Sequence, residues 1–257
     1  MTVSPTLSSL ASAFVDPAAI PAEGASAVSE TASLMRFDLI DQDRAGRTRA
    51  VARRYGLDVL HDVEVLTLHL ARSGVSDAST ASDVLIARFG GLAAVLGADG
   101  AELRRHVSEE AVLDLKLLRE AAVRMTAAAL QGRTLLTSSG AVQAYLRSVM
   151  VGLPREEFWV LFLDRKNQLL VSERLGQGSV DQAPVYPREV LRRALEVGAS
   201  AMILAHNHPS GDPTPSRQDL DMTRTVAEGA KALGLNVWDH MIVGRDKILS
   251  LKSEGLM

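Results

Sequence analysis

The chain has 257 residues, of which 47% are apolar and 23% charged, with a net charge of −3 and no cysteine. That is the make-up of a globular protein with enough residues for one large domain or two small ones. The slight acidity excludes a global pull toward nucleic acid or anionic lipid, and the missing cysteine excludes disulfides, thiolate metal sites and a cysteine nucleophile.

Residues 1–35 are rich in Ala, Ser and Pro and contain no Lys or Arg. They lack the basic start and unbroken apolar core of a secretory signal, and no run in the chain approaches the roughly 18–20 apolar residues of a membrane span. The expectation is a disordered tail on a cytoplasmic protein that makes no membrane contact. Residues 36–131 read as a small all-α domain. Leu57, Leu60, Val63, Leu66 and Leu70 recur at spacings of three and four, as do Val84, Leu85 and Phe89, and Leu113, Leu117 and Leu118. Thr80 to Ser82 offers a helix start and Gly90-Gly91 a stop. His61, His69 and His106 are scattered through this half with no third ligand beside them, and read as ordinary helix residues. Ser138-Ser139-Gly140 signals a turn, and residues 141–150 one more helix.

The texture changes over residues 132–257, which read as an α/β domain. Phe158 to Leu163 and Leu169 to Ser172 are apolar runs around a polar turn, the pattern of a hairpin. Pro187 opens a helix with Val190, Leu191, Ala194 and Leu195 on one face. Residues 201–205 read as a short buried strand. Ser216 starts a helix that stops at Gly234. Val237 to Val243 and Ile248 to Leu251 read as final strands, joined by a turn at 244–247. Strands alternating with helices imply layered α/β architecture.

The chemistry lies in one run, from His206-Asn207-His208-Pro209-Ser210-Gly211 to Ser216 and Asp219. Two histidines at i and i+2 on extended backbone project to the same side and can converge on one ion. A stiff loop with three prolines turns the chain back, and Asp219 falls one turn into the next helix. Two His and one carboxylate leave a fourth tetrahedral position open, the pattern of a catalytic zinc site. Zinc lowers the pKa of its water to about 7 and polarises a carbonyl. The general base expected beside it is Glu156, with Glu157 as the rival. Ser216 can donate to the oxyanion that develops on the substrate. Ser216 and Asp219 also fit a capping box with Asp at its third position. Asp239 and His240 sit in an apolar strand context and have two readings. One is a group that orients a zinc-bound histidine, and the other is a polar pair that ties the strand to a neighbouring loop.

This run resembles the JAMM motif, and more specifically the RadC family. The likeness extends through Arg155-Glu156-Glu157-Phe158, Phe162-Leu163-Asp164, Tyr186-Pro187-Arg188-Glu189, Asp239-His240 and Ser250-Leu251, covering residues 136–257 closely. The resemblance implies an α/β JAMM/MPN fold, cytidine-deaminase-like, preceded by a helix-hairpin-helix-like all-α domain. It maps the catalytic glutamate onto Glu156, with metal ligands His206, His208 and Asp219. It implies a zinc metallopeptidase or isopeptidase acting on a peptide or isopeptide amide. The alternative is a DNA-associated repair accessory protein with a structural or vestigial metal site. DNA contact through the helical half is weakened where the family's Gly-hydrophobic-Gly hairpin falls near His106-Val107-Ser108-Glu109-Glu110, which lacks both glycines and has two acids where phosphate would lie. Arg47, Arg49, Arg53 and Arg54 form a basic cluster for which a solvated helix face is the preferred reading. A metal-dependent nuclease is disfavoured, since that chemistry usually uses two metals in an oxygen-rich site.

Overall fold

A helix over residues 44–55 (α1) ends at Gly56, whose φ of +97° suits a residue without Cβ. The computed structural model describes residues 44–257 except 133, 136–138 and 179–184. The expected tail at 1–35, and Ser138 of the turn signal, lie outside the described residues. Asp41–Met257 cluster as one unit.

Five further helices follow in the helical half: α2 (Asp62–Arg72), α3 (Ala78–Phe89), α4 (Leu92–Gly97), α5 (Gly100–Leu103) and α6 (Glu109–Ala128). No described residue of this half forms a strand. Two boundaries differ from the sequence reading. The leucine period does not begin α2 at Leu57, because the chain leaves Gly56 in a turn and Leu57 is exposed. Helix α3 starts at Ala78 rather than at 80–82, because the Asp77 side chain accepts from Thr80 N at 3.0 Å. Gly90 in the left-handed region stops α3 as expected. Leu66, Leu70, Leu85, Val95, Leu103, Val112 and Leu115 make the core of this half.

Helix α6 contradicts its apolar pattern. Leu113 and Leu117 are 68% and 64% exposed, and the helix turns Ala111, Val112 and Leu115 inward. Further along, the helix carries cations aimed at carbonyls. Lys116 Nζ donates to Leu96 O at 3.0 Å and also to Ala98 O, and Arg119 donates to Gly97 O, Ser148 O and Val149 O. These bonds satisfy carbonyls left over at two helix ends. Burial, with the charge of Arg119 beside it, lowers the Lys116 pKa to about 8. Ser108 caps α6, and Glu109 and Glu110 stand exposed in its first turn, with Glu109 3.3 Å from Arg104.

Helix α7 (Ser139–Met150) leads into a five-stranded sheet with the order β2-β1-β3-β4-β5. Strands β1 (Glu157–Leu163) and β2 (Leu169–Gln177) form the expected hairpin, and β3 (Ala201–Asn207) pairs antiparallel with β1. Strand β4 (Asn236–Val243) runs parallel to β3, and β5 (Ile248–Ser250) closes the edge antiparallel. Helices α8 (Pro187–Glu196) and α9 (Arg217–Ala232) cover the face presented by Phe158, Val160, Met202 and Leu204. Helix α7 covers the other face, where Leu161, Ile203, Ala205 and Met241 sit. No helix among the described residues is long and apolar enough to cross a membrane.

The two halves meet backbone to backbone. A Cβ on Gly97 would lie 2.0 Å from Val151 O, and one on Gly152 would lie 2.5 Å from Ala94 O. Gly97→Ala should therefore lower unfolding stability by about 3 kcal/mol in urea titrations. Gly140→Ala meets nothing within 4 Å and should stay within about 0.5 kcal/mol of wild type.

Candidate metal centre

Strand β3 ends in the middle of the sheet, beside a β3–α9–β4 crossover. Loops at the carboxyl ends of parallel strands are where α/β sheets place ligands. His206 is the penultimate residue of that strand, opposite Phe158 of β1 and Ile242 of β4, and is 1% exposed. Its strand runs two residues past the sequence estimate of 201–205, so the first histidine is part of the sheet rather than of the loop.

The loop after it is held to the sheet edge. His208 N donates to Val243 O at 3.0 Å, Gly211 N to His208 O at 2.9 Å, and Arg245 N to Gly211 O at 2.9 Å. Gly211 has φ of +90°, and a Cβ on Gly244 would strike Gly211 O at 2.5 Å, so this close approach requires glycine. The ring of His208 is fixed by a bond of 2.7 Å between Nδ1 and Asp212 O. A carbonyl only accepts, so His208 Nδ1 carries the proton and Nε2 faces the site.

Helix α9 brings the carboxylate back. Ser216 is its N-cap and accepts from Asp219 N at 3.1 Å, while Asp219 Oδ2 accepts from Ser216 N at 2.7 Å. The Ser216 hydroxyl donates to the same Oδ2 at 2.7 Å. The capping box expected from the sequence is therefore present, and it aims Asp219 at the histidines. His206 Nε2 lies 2.9 Å from His208 Nε2 and 3.4 Å from Asp219 Oδ1, and His208 Nε2 lies 3.6 Å from Asp219 Oδ2. One donor atom of each residue lies within 4.8 Å of the others. Tetrahedral zinc with bonds near 2.05 Å spaces its ligand atoms about 3.3 Å apart. The donor chemistry and the spacing both fit that ion.

The electrostatics also describe a cation site. Burial works to raise the Asp219 carboxyl, but the His206 and His208 imidazoles beside it outweigh burial and hold its pKa far below the usual range. The Asp219 carboxylate is the main reason the His208 pKa is raised; burial opposes it, and Glu156 adds a smaller push upward.

The two glutamates separate cleanly. Glu157 is buried, accepting from Trp159 Nε1 at 2.9 Å and from Arg174 Nη1 at 2.8 Å, so its carboxylate belongs to the sheet. Glu156 is half-buried, just ahead of β1, within electrostatic reach of His208. Asn207, the unremarked middle residue of the His-x-His run, clamps that glutamate from both sides. Its Oδ1 accepts from Glu157 N at 2.9 Å and its Nδ2 donates to Arg155 O at 3.0 Å. Nothing in the sequence except its position between the histidines pointed to it.

Asp239 and His240 divide between the two readings given to them. Asp239 accepts from Ser250 Oγ at 2.6 Å and Lys252 N at 3.2 Å, tying β4 to the chain beyond it. His240 Nε2 meets His206 Nδ1 at 2.7 Å. A cleft of about 240 Å³, lined by Arg88, Glu102, Met150, Asn207, His208 and Arg245 among others, opens beside the centre.

Residues 136–256 match the family profile described as the RadC-like JAB domain. A UPF0758 protein of Rhodobacter capsulatus is 43% identical over 205 residues, 79% of this chain and 96% of that one. A UPF0758 protein of Ruegeria pomeroyi is 42% identical over 219 residues, 84% and 98% of the two chains.

Because Glu157 is held by two charged or polar donors, Glu157→Gln should lower stability by about 1 kcal/mol, a figure reduced by the partial exposure of Arg174. Glu156→Gln should cost less; chemical denaturation of the two variants side by side checks this.

Proposed function

The chain belongs to the RadC family, and on that premise we propose that it is a zinc-dependent hydrolase that cleaves an amide or isopeptide bond. The observation that carries this reading is the meeting of His206 Nε2, His208 Nε2 and the Asp219 carboxylate around a common point. We read the domain as a JAMM/MPN sandwich of the cytidine-deaminase kind. The mixed sheet with α7 on one face and α8 and α9 on the other supports it.

His206, His208 and Asp219 would hold the ion, which, when bound, supplies Lewis acidity toward water and the scissile carbonyl. The Glu156 carboxylate takes the proton of the attacking water and returns it to the leaving nitrogen. The Asn207 clamp fixes the backbone on both sides of Glu156, so the base is held rather than searched for. Ser216 keeps its capping acceptance from Asp219 N throughout. Its hydroxyl proton, given to Asp219 Oδ2 in this structure, would serve the oxyanion that develops on the substrate. The cleft beside His208 gives an extended peptide a path to the centre between the helical half and the sheet.

This reading stands ahead of DNA contact through the helices. The exposed Glu109 and Glu110 lie at the positive end of α6, where a phosphate would need them absent.

Metal analysis of purified protein should give about one zinc per chain, lost in His206→Ala. Glu156→Gln should retain the zinc and lose cleavage of a peptide and isopeptide panel by about 10²- to 10⁴-fold. Full zinc occupancy in His206→Ala, or full activity in Glu156→Gln, would sink the assignment.

A further inference from the structure

Helix α9 supplies more than a ligand. One turn after Asp219 it carries Thr223, which is 3% exposed and faces His240 rather than the apolar layer around it. Three hydrogen bonds run in series from there to the metal ligand. Thr223 Oγ1 lies 2.6 Å from Asp219 O and 2.6 Å from His240 Nδ1, and His240 Nε2 lies 2.7 Å from His206 Nδ1.

The proton order follows from the bond that Thr223 Oγ1 donates to Asp219 O. A carbonyl oxygen cannot donate, so the single Thr223 hydroxyl proton goes to Asp219 O. Oγ1 is then left with lone pairs for His240, and His240 Nδ1 must carry the hydrogen. His240 is wholly buried, with its ring edge-on to Phe158 and only Thr223 and His206 as its hydrogen-bond partners among the described residues, a setting that disfavours a charged ring. A neutral ring with Nδ1–H presents a lone pair at Nε2. That lone pair accepts from His206, so the His206 proton sits on Nδ1 and its Nε2 is bare toward Asp219 and His208.

We propose that Thr223 is a positioning residue that, acting through His240, sets the tautomer and ring orientation of His206 so that Nε2 is presented as a metal ligand. The inference rests on the metal reading of the centre. It adds a device by which one helix provides both a ligand, Asp219, and the anchor that prepares another ligand on a neighbouring strand. The series closes on itself, because its last acceptor is the backbone of Asp219. The His206 ring also stacks on Phe158 with planes 18° apart, so the hydrogen bond from His240 fixes rotation of a ring whose plane is already supported.

The isosteric pair Thr223→Val and Thr223→Ser separates hydroxyl from shape. Zinc affinity measured by chelator competition should fall about 10- to 100-fold in Thr223→Val and stay near wild type in Thr223→Ser. Equal losses in both variants, or no loss in Thr223→Val, would overturn the proposal. A second measurement needs neither metal nor variant: ¹⁵N spectra of the histidine rings in metal-free wild type should show His206 and His240 both protonated on Nδ1. Either ring with its hydrogen on Nε2 alone contradicts the series. Failure of wild type to bind zinc would refute the proposed function, whereas zinc binding that ignores the Thr223 hydroxyl would refute only this inference.

Discussion

Two imidazole nitrogens and a carboxylate crowded 2.9 to 3.6 Å from one another are the constraint around which the second half of this protein is built. Such a group is unfavourable without a positive charge at its centre. The lowered Asp219 and raised His208 pKa values express the pull between that carboxylate and the imidazoles beside it. Folding must therefore hold three mutually attracted and repelled groups in place, and most of the polar bonds near the sheet's centre do that. The cap at Ser216 aims Asp219, the Asp212 carbonyl aims His208, and His240 aims His206.

The sheet makes this arrangement available. His206 sits at the end of the central strand, flanked by β1 on one side and β4 on the other, so groups from three strands reach the same point. Because β4 lies parallel to β3 after a helical crossover, His240 and Thr223 arrive beside His206 from distant parts of the chain. Because β1 lies antiparallel on the other side, Glu156 arrives just ahead of Phe158, and Asn207 can grip the backbone there. The turn between β4 and β5 completes the enclosure by pinning the loop at Gly211.

Local chemistry was legible in the sequence and long-range chemistry was not. The histidine pair, the rigid loop, the cap and Asp219 lie within fourteen residues, so their spacing alone placed them together. The hairpin, the Pro187 helix and the Gly90 stop were readable for the same reason. Thr223 carries no signal, since its partners are set by strand order rather than by spacing. His240 was visible as an odd polar group in an apolar strand, but its partner was not. The leucines of α6 misled because a helix can bury cations against carbonyl oxygens and leave leucines outside, and periodicity does not distinguish those cases. Of the two adjacent glutamates, strand alternation alone gave no choice. The structure separates them through Trp159 and Arg174, which occupy Glu157.

The helical half is joined to this centre by contacts that tolerate no side chain, at Gly97 and Gly152, and by the cleft that both halves line. The most direct test of the central claim is anomalous diffraction at the zinc edge from crystals grown with zinc. A single strong peak is expected about 2.0–2.2 Å from His206 Nε2, His208 Nε2 and one Asp219 carboxylate oxygen. No peak there, or a peak bound by other residues, would contradict it.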